Sequence, residues 1–246
     1  MAQKQFSVRI YIDADLSQDK GVVLDKTQAH YVVTVMRRKI GDEIVLFNGR
    51  DGEWVGKVQE VRKSHALINL ISCLREQAAE PDIHLVFSPV KKIQNALIVQ
   101  KATELGVSEL IPVQTLRTNS DRPREDKMVL QAIEAAEQSE RLTIPIIQQT
   151  QKLEKYLAKM EPDRALIFCH ERHDSKDPIS VLSGLTISNK FAVLVGPEGG
   201  FSDAERKMIM SCDNSHTLGL GPRILRAETA VVSALSLLQA VRGDWQ

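Results

Sequence analysis

Apolar residues follow two different patterns along the 246-residue chain. Up to about residue 73 they come in short runs of strand length: Val8-Arg-Ile-Tyr-Ile12, Glu43-Ile-Val-Leu-Phe47, Glu53-Trp-Val-Gly-Lys-Val58 and His65-Ala-Leu-Ile-Asn-Leu-Ile71. Asn48-Gly49 and Asp51-Gly52 stand between the second and third, and such dipeptides favour the positive φ of a tight hairpin. With one helix expected over Lys26 to Arg38, residues 1–73 read as a small, mostly-β barrel. A polar stretch at 74–81 reads as a linker. From His84 onward the pattern changes: compact runs (Leu85-Val-Phe87, Leu110-Ile-Pro-Val113, Ala165-Leu-Ile-Phe-Cys169, Phe191 to Val195, His216 to Leu220) alternate with stretches of helical period. That alternation predicts an α/β domain over 82–246, a parallel sheet with helices on its faces.

Two of these runs end in unusual turns. Phe191-Ala-Val-Leu-Val195 leads into Gly196-Pro-Glu-Gly-Gly200, whose glycines allow positive φ and close approach of backbone to a ligand. Ser202 with Glu205 three residues on is a capping box, so a helix starts there. The second turn, built on Gly219, Gly221 and Pro222, is followed by Ala227, Ala230, Val231, Ala234, Leu235 and Leu238 at helical spacing. Both turns fall at the C-terminal ends of strands, where open α/β sheets bind ligands. Neither has the Gly-x-x-x-x-Gly-Lys-Ser/Thr or Gly-x-Gly-x-x-Gly grammar, which disfavours a nucleoside triphosphate or nicotinamide site.

Four ordered blocks then carry a resemblance. They are Arg9-Ile-Tyr-Ile12 with His30 through Val35-Met36-Arg37 to Gly41-Asp42; Gln100-Lys-Ala-Thr-Glu-Leu-Gly-Val107 leading to Ile111-Pro112; Glu134-Ala-Ala-Glu-Gln-Ser139 leading to Arg141 and Ile144-Pro145; and the pair Gly196-Pro-Glu-Gly-Gly200 and Arg223-Ile-Leu-Arg-Ala-Glu-Thr-Ala230. Nearly end to end, the chain resembles the 16S ribosomal RNA uridine N3-methyltransferases, a family of the knotted SPOUT class. Met36 stands where the family pattern has Leu, and the helix around Lys127 to Ala132 lacks a Trp often seen there. The resemblance implies a PUA-like RNA-binding domain, a SPOUT domain with a deep C-terminal trefoil knot, and a homodimer. It also implies S-adenosylmethionine as cofactor and a uridine of 16S rRNA in the decoding region of the small subunit as target.

Methyl transfer needs a snug pocket that holds the sulfonium methyl in line with the nucleophile. Backbone groups of Gly196, Pro197, Glu198, Gly199 and Gly200, and of Leu218, Gly219 and Leu220 through Ile224, suit the adenine and ribose edges. Leu194, Leu220, Ile224 and Leu225 suit the apolar walls, with plain core packing as the alternative, and Thr229 completes the expected cofactor set. Negative charge spreading to O2 and O4 of a uracil calls for a cation, for which Arg226 is the first candidate and Arg223 its neighbour. Either could instead be a surface charge. For the N3 proton the carboxylates inside the turns are Glu198 and Glu228; Glu228 is equally explained by the helix dipole, and Glu198 by locking its loop. Arg9, Arg37, Arg38, Arg117, Arg122, Arg124 and Arg223 are candidate phosphate partners. Lys101 fits either the RNA face or an ion pair with Glu104. His170, Glu171, Arg172 and His173 follow a strand; Glu171 is a candidate pocket residue, and His-x-x-His lacks the spacing of a helix-borne zinc motif, so no metal is expected.

Composition adds little. Lys plus Arg and Asp plus Glu are both 32, and 43% of residues are hydrophobic, enough for a core but with no charge excess to advertise RNA. Cys73, Cys169 and Cys212 are odd in number and scattered, which fits buried small hydrophobes rather than disulfides or a zinc site. No signal peptide is evident, so a cytoplasmic location is expected. Two rival readings stay open: a SPOUT-class transfer to a ribose 2′-hydroxyl, and an RNA-binding assembly module without catalysis.

Overall fold

The structure, a computed structural model, describes residues 8–120, 122–171, 177–186 and 189–245. The chain divides into two compact units, one of residues up to Ala79 together with Ala136–Ile144, the other of Glu80–Ala135 and Pro145–Gln246. Residues 136–144 thus join the first unit, although the sequence pattern runs them on with the second.

In the first unit the elements are β1 (Arg9–Tyr11), β2 (Gly21–Leu24), α1 (Lys26–His30), β3 (Glu43–Phe47), β4 (Glu53–Val61) and β5 (Ala66–Arg75). They form one five-stranded sheet in the order β1-β3-β4-β5-β2. β3 and β4 are the antiparallel hairpin foretold by Asn48-Gly49 and Asp51-Gly52, both glycines having positive φ (78° and 80°). Gly52 is also required by space, because a Cβ there would lie 2.2 Å from the Arg75 carbonyl oxygen. Alternate residues of β2, β3 and β5 (Val22, Leu24, Ile44, Leu46, Ile68, Leu70) point into a common core.

One expectation needs correction, and one element is new. β2 was not foreseen, since Gly21-Val-Val-Leu24 is too short for a period to show. The helix expected over Lys26 to Arg38 ends after His30 and continues as a π-helical turn, Tyr31–Val35, in which four successive β-branched residues, Val32 to Val35, lower the α-helical preference. The ladder has no pairing of β1 with β2 among the described residues, and all five strands contribute to one core, as the expected small β domain requires.

Arg9, a candidate RNA contact, is a structural residue. Its guanidinium lies 3.6 Å above the Phe47 ring, donates through Nε to Glu53, and donates through its two terminal nitrogens to the carbonyls of Ala136 and Arg141, each at 2.7 Å. Burial pulls the Arg9 pKa below its ordinary value against the opposing pull of Glu53. Desolvation acts to raise Glu53, but hydrogen bonds from Arg75 and Arg9 outweigh it and hold that carboxyl below the usual range. With all three of its nitrogens engaged and only 8% of its side chain exposed, Arg9 is committed to holding the first unit together.

The second unit contains β6 (Asp82–Phe87), α2 (Lys92–Glu104), β7 (Glu109–Gln114), α3 (Glu125–Gln138, its last turn in the first unit), β8 (Ile146–Ile147), β9 (Gln151–Lys152), α4 (Leu153–Leu157), β10 (Ala165–Cys169), α5 (Pro178–Ser183), β11 (Lys190–Val195), α6 (Asp203–Met210), β12 (Ser215–Leu218) and α7 (Ala227–Arg242). The sheet runs β12-β10-β11-β6-β7-β8, with β9 beside β7, and every pair is parallel. Near-continuous burial of β6, β10 and β11 is what a parallel sheet covered on both faces requires. The C-terminal strands are crossed: β12 returns beside β10 instead of beside β11. At the N-terminal ends of the strands, buried Arg164 grips both carboxylate oxygens of Asp82 at 2.9 Å and donates to the Phe191 carbonyl at 3.1 Å. Among the described residues no helix is long and apolar enough to cross a membrane.

Candidate active site

Parallel register sets where the site falls. Phe168 pairs with Leu194 and Cys169 with Leu218, so β10, β11 and β12 end side by side and their following loops converge. Between those loops lies a cavity of about 500 Å³. Its lining comes from the end of β10 (Phe168, Cys169, His170, Glu171), the turn after β11 (Gly196, Pro197, Glu198, Gly200, Phe201), the turn after β12 (Leu220, Gly221, Arg223, Ile224, Leu225, Arg226), the start of α7 (Ala227, Ala230), and Lys91, Gln94, Val195 and Arg206.

The first turn is held from within. Gly200 donates its N–H to the Pro197 carbonyl at 2.8 Å, and its φ of +66° is one that L side chains rarely adopt. A Cβ on Gly200 would stand 2.6 Å from the Glu171 carboxylate, and one on Gly196 would stand 2.6 Å from the Phe201 ring. The capping box at α6 is complete: the Glu205 N–H donates to the Ser202 hydroxyl, and the Ser202 N–H donates to Glu205 Oε2. Buried Glu205 also accepts the Leu116 N–H at 2.7 Å, tying the turn to the end of β7. Phe168 meets Phe201 edge to face at 5.3 Å and gives the cavity its apolar floor.

The second turn is open. Gly221 has φ +99° with no atom within 4 Å of where a Cβ would be, and Ile224 is 72% exposed. Arg226 occupies the N-cap of α7 with extended backbone and no side-chain cap, leaving the first N–H groups of that helix unpaired by a side chain. The small side chains of Ala227 and Ala230 let a ligand approach α7. Among the described residues neither Arg223 nor Arg226 has an ion-pair partner, whereas Arg206 is tied to Asp203 and the Phe201 carbonyl. Burial pushes the Cys169 thiol up to about 12, so it lines the cavity as a neutral, unreactive group.

Of the residues expected to hold a cofactor, Gly196, Pro197, Glu198, Gly200, Leu220, Ile224 and Leu225 line the cavity. The Leu194 side chain does not, being fully buried in β11; Leu218, expected to offer its backbone, is the last residue of β12, with its side chain in the core. Gly219 and Thr229 also lie off it. Gly199 faces away, its carbonyl accepting from Arg117 at 2.8 Å, and a Cβ there would make only an ordinary 3.4 Å contact with Arg117. The need for close approach therefore falls on Gly196 and Gly200. Arg226 and Glu198 line the cavity as expected, but Glu198 is exposed, so the chain alone does not supply the desolvation a carboxylate base requires. Glu228 is off the cavity in the first turn of α7, where it complements the helix dipole. Among the RNA candidates Arg223 reaches the cavity, Arg37 is exposed, Arg38 is half-buried, and Arg122 and Arg124 stand together on a separate trough. Lys101 pairs with Glu104. Arg172 and His173 lie outside the described residues. Lys91, Gln94, Phe168, Phe201 and Arg206 were missed; the cue lay in sheet adjacency, since the loops after β6 and β10 flank the one after β11.

A parallel α/β domain with a cavity on two glycine turns at the strand C-termini, preceded by a small β domain, defines a two-domain α/β protein with a ligand-sized site. Residues 77–239 match the RNA methyltransferase domain family and residues 24–71 the RNA methyltransferase PUA domain. The chain is 32% identical over 229 residues (93% of each chain) to ribosomal RNA small subunit methyltransferase E of Rickettsia conorii. It is 30% identical over 232 residues (88% of this chain, 90% of the other) to the protein of that name from Bacillus subtilis. The crystal structure of ribosomal RNA small subunit methyltransferase E from Neisseria gonorrhoeae, bound to S-adenosyl methionine, superimposes with a TM-score of 0.88 at 26% identity, covering 97% of this chain and 99% of that one. This chain belongs to the ribosomal RNA small subunit methyltransferase E family.

Proposed function

We propose that this protein binds S-adenosylmethionine in the cavity between the two glycine turns and transfers its methyl group to N3 of a uridine in small-subunit ribosomal RNA. The observation that carries the reading is the pairing of a nucleoside-sized cavity, floored by Phe168 and Phe201, with Arg226 free at its edge. The residues present fit the cofactor: Gly196 and Gly200 let Phe201 and Glu171 pack close against the turn and shape the cavity wall, and the small side chains of Ala227 and Ala230 admit a ligand against α7. When bound, the cofactor supplies an electrophilic methyl on a sulfonium.

The protein's own residues do the rest. The turn after β11 positions the cofactor with backbone braced by the Gly200–Pro197 hydrogen bond and, just beyond it, by Glu205. Arg226 stabilises the negative charge that spreads over O2 and O4 as N3 loses its proton. Glu198 stands where it can accept that proton directly or through water; Glu228 supports α7 rather than the base. The crossed order of β10, β11 and β12 supports the threaded, knotted C-terminus of the SPOUT class, and with that class goes a homodimer acting on the assembled subunit in the cytoplasm. Incubation with radiolabelled S-adenosylmethionine and unmodified small subunits, then digestion of the RNA, tests the reading. N3-methyluridine is the expected product; label on a ribose 2′-oxygen would replace the nucleophile, and no label at all would leave an RNA-binding module.

A further inference from the structure

A second concavity of about 730 Å³ lies in the same unit, and Lys91 lines both it and the cofactor cavity. Its walls carry Lys91, Lys92, Arg122, Arg124 and Lys127. Arg124 is paired with Asp126, while Lys91, Lys92, Arg122 and Lys127 have no ion pair among the described residues. Asp126 pairs with Arg124 and attracts Lys127, so it offsets only part of this cluster of five cations, and the remaining positive field favours an anion.

Three further features mark this trough as built. The 13-residue helix α2 starts in it at Lys91 with no side-chain cap, so its first-turn N–H groups and dipole add to the positive field. The facing loop is pinned, Ser120 donating to the Pro89 carbonyl at 2.8 Å and Thr118 bonding Ser88 at 2.7 Å. Finally Asn95, only 7% exposed, lines the trough with an Oδ1 that has no hydrogen-bond partner. An orphaned buried acceptor of this kind calls for a donor from outside the chain.

We infer that this trough is a subsite for the RNA backbone next to the target nucleotide: Lys91, Lys92, Arg122 and Lys127 bind successive phosphates, and Asn95 accepts a ribose 2′-hydroxyl. The inference rests on the proposed RNA substrate and adds the path by which the strand enters the cavity. No aromatic side chain lines the trough among the described residues, so it holds backbone and not stacked bases. A 2′-hydroxyl donor also gives the site a reason to prefer RNA to DNA.

The test compares the wild type with Lys92→Gln/Lys127→Gln and with a control of equal charge loss, Lys155→Gln/Lys207→Gln. Binding of the fluorescently labelled protein to unmodified small subunits is followed by anisotropy across a salt series, and S-adenosylmethionine affinity by calorimetry. Loss of two phosphate contacts should weaken RNA binding at least about tenfold and lower the log–log salt slope by about 1.4, with cofactor affinity unchanged and the control pair close to wild type. Equal RNA affinity and slope in the Lys92/Lys127 pair, or equal losses in the control pair, would overturn the subsite. Nucleoside analysis of the wild-type product separates the two claims. If uridine N3 is methylated while the trough variant binds as wild type, only the trough falls; if the trough variant loses binding but the methyl is found elsewhere, only the uridine assignment falls.

Discussion

The two glycine turns of the active site enclose one cavity but are built in opposite ways. The turn after β11 is closed by its own hydrogen bonds and by buried Glu205, and its glycines are demanded by contacts already present. The turn after β12 has exposed residues, a glycine surrounded by empty space, and an uncapped helix start beyond it. A preformed half can position a cofactor before RNA arrives, whereas an open half can order around both ligands. Rigid and adaptable parts are thus divided between two strands of one sheet.

Breaking the closed turn should cost the most. Glu205→Ala removes the acceptor for the Leu116 and Ser202 N–H groups and the Ser202 hydroxyl together. Unpaired buried donors cost about 1–3 kcal/mol each, so urea unfolding should show a loss of about 3 kcal/mol, and cofactor affinity should fall with it. Arg226→Ala, in the open turn, should leave both stability and cofactor affinity near wild type while kcat drops on the order of 100-fold; a loss seen in cofactor binding alone would take Arg226 off the base. Paired glycine variants sharpen the contrast. Gly200→Val meets the Glu171 carboxylate in a left-handed backbone and should weaken S-adenosylmethionine binding about tenfold or more by calorimetry. Gly221→Val bears similar backbone strain without a collision and should cost no more than about threefold.

The smallest effect concerns pH. His216 lies on β12, the strand that carries the open turn, and burial holds its pKa below the ordinary value. Such a histidine binds its proton more readily unfolded, so its contribution is whole above the unfolded pKa of about 6.5 and is lost as pH falls toward the lower folded value. Urea midpoints should therefore decline from neutral pH to about 5 in the wild type and decline less in His216→Gln. Hydrogen exchange should show β12 loosening before β11.

Much of this was legible in the sequence because local signals and global fold agreed. The strand and turn at Phe191 to Gly200, the capping box at Ser202 and Glu205, and the helical period from Ala227 to Leu238 each depend on neighbours a few residues away, and each is present. What failed depends on contacts distant in sequence. Leu194 looks like a pocket wall beside a glycine turn, yet strand pairing with β10 buries it. Gly199 and Gly200 are indistinguishable as letters, and only the position of Glu171 and Arg117 tells which one needs to lack a side chain. The charge on Arg9 suggested RNA, but Glu53 and two carbonyls from beyond residue 135 claim it.

That last arrangement bears on how the chain matures during its own synthesis. The buried guanidinium near the N-terminus is satisfied by carbonyls of Ala136 and Arg141, and the Tyr11 N–H by Glu137. A nascent chain emerging in order exposes Arg9 long before these partners leave the tunnel. The unit that holds Arg9 therefore cannot finish folding as it emerges, and its last bonds close only after residues 136–141 have followed.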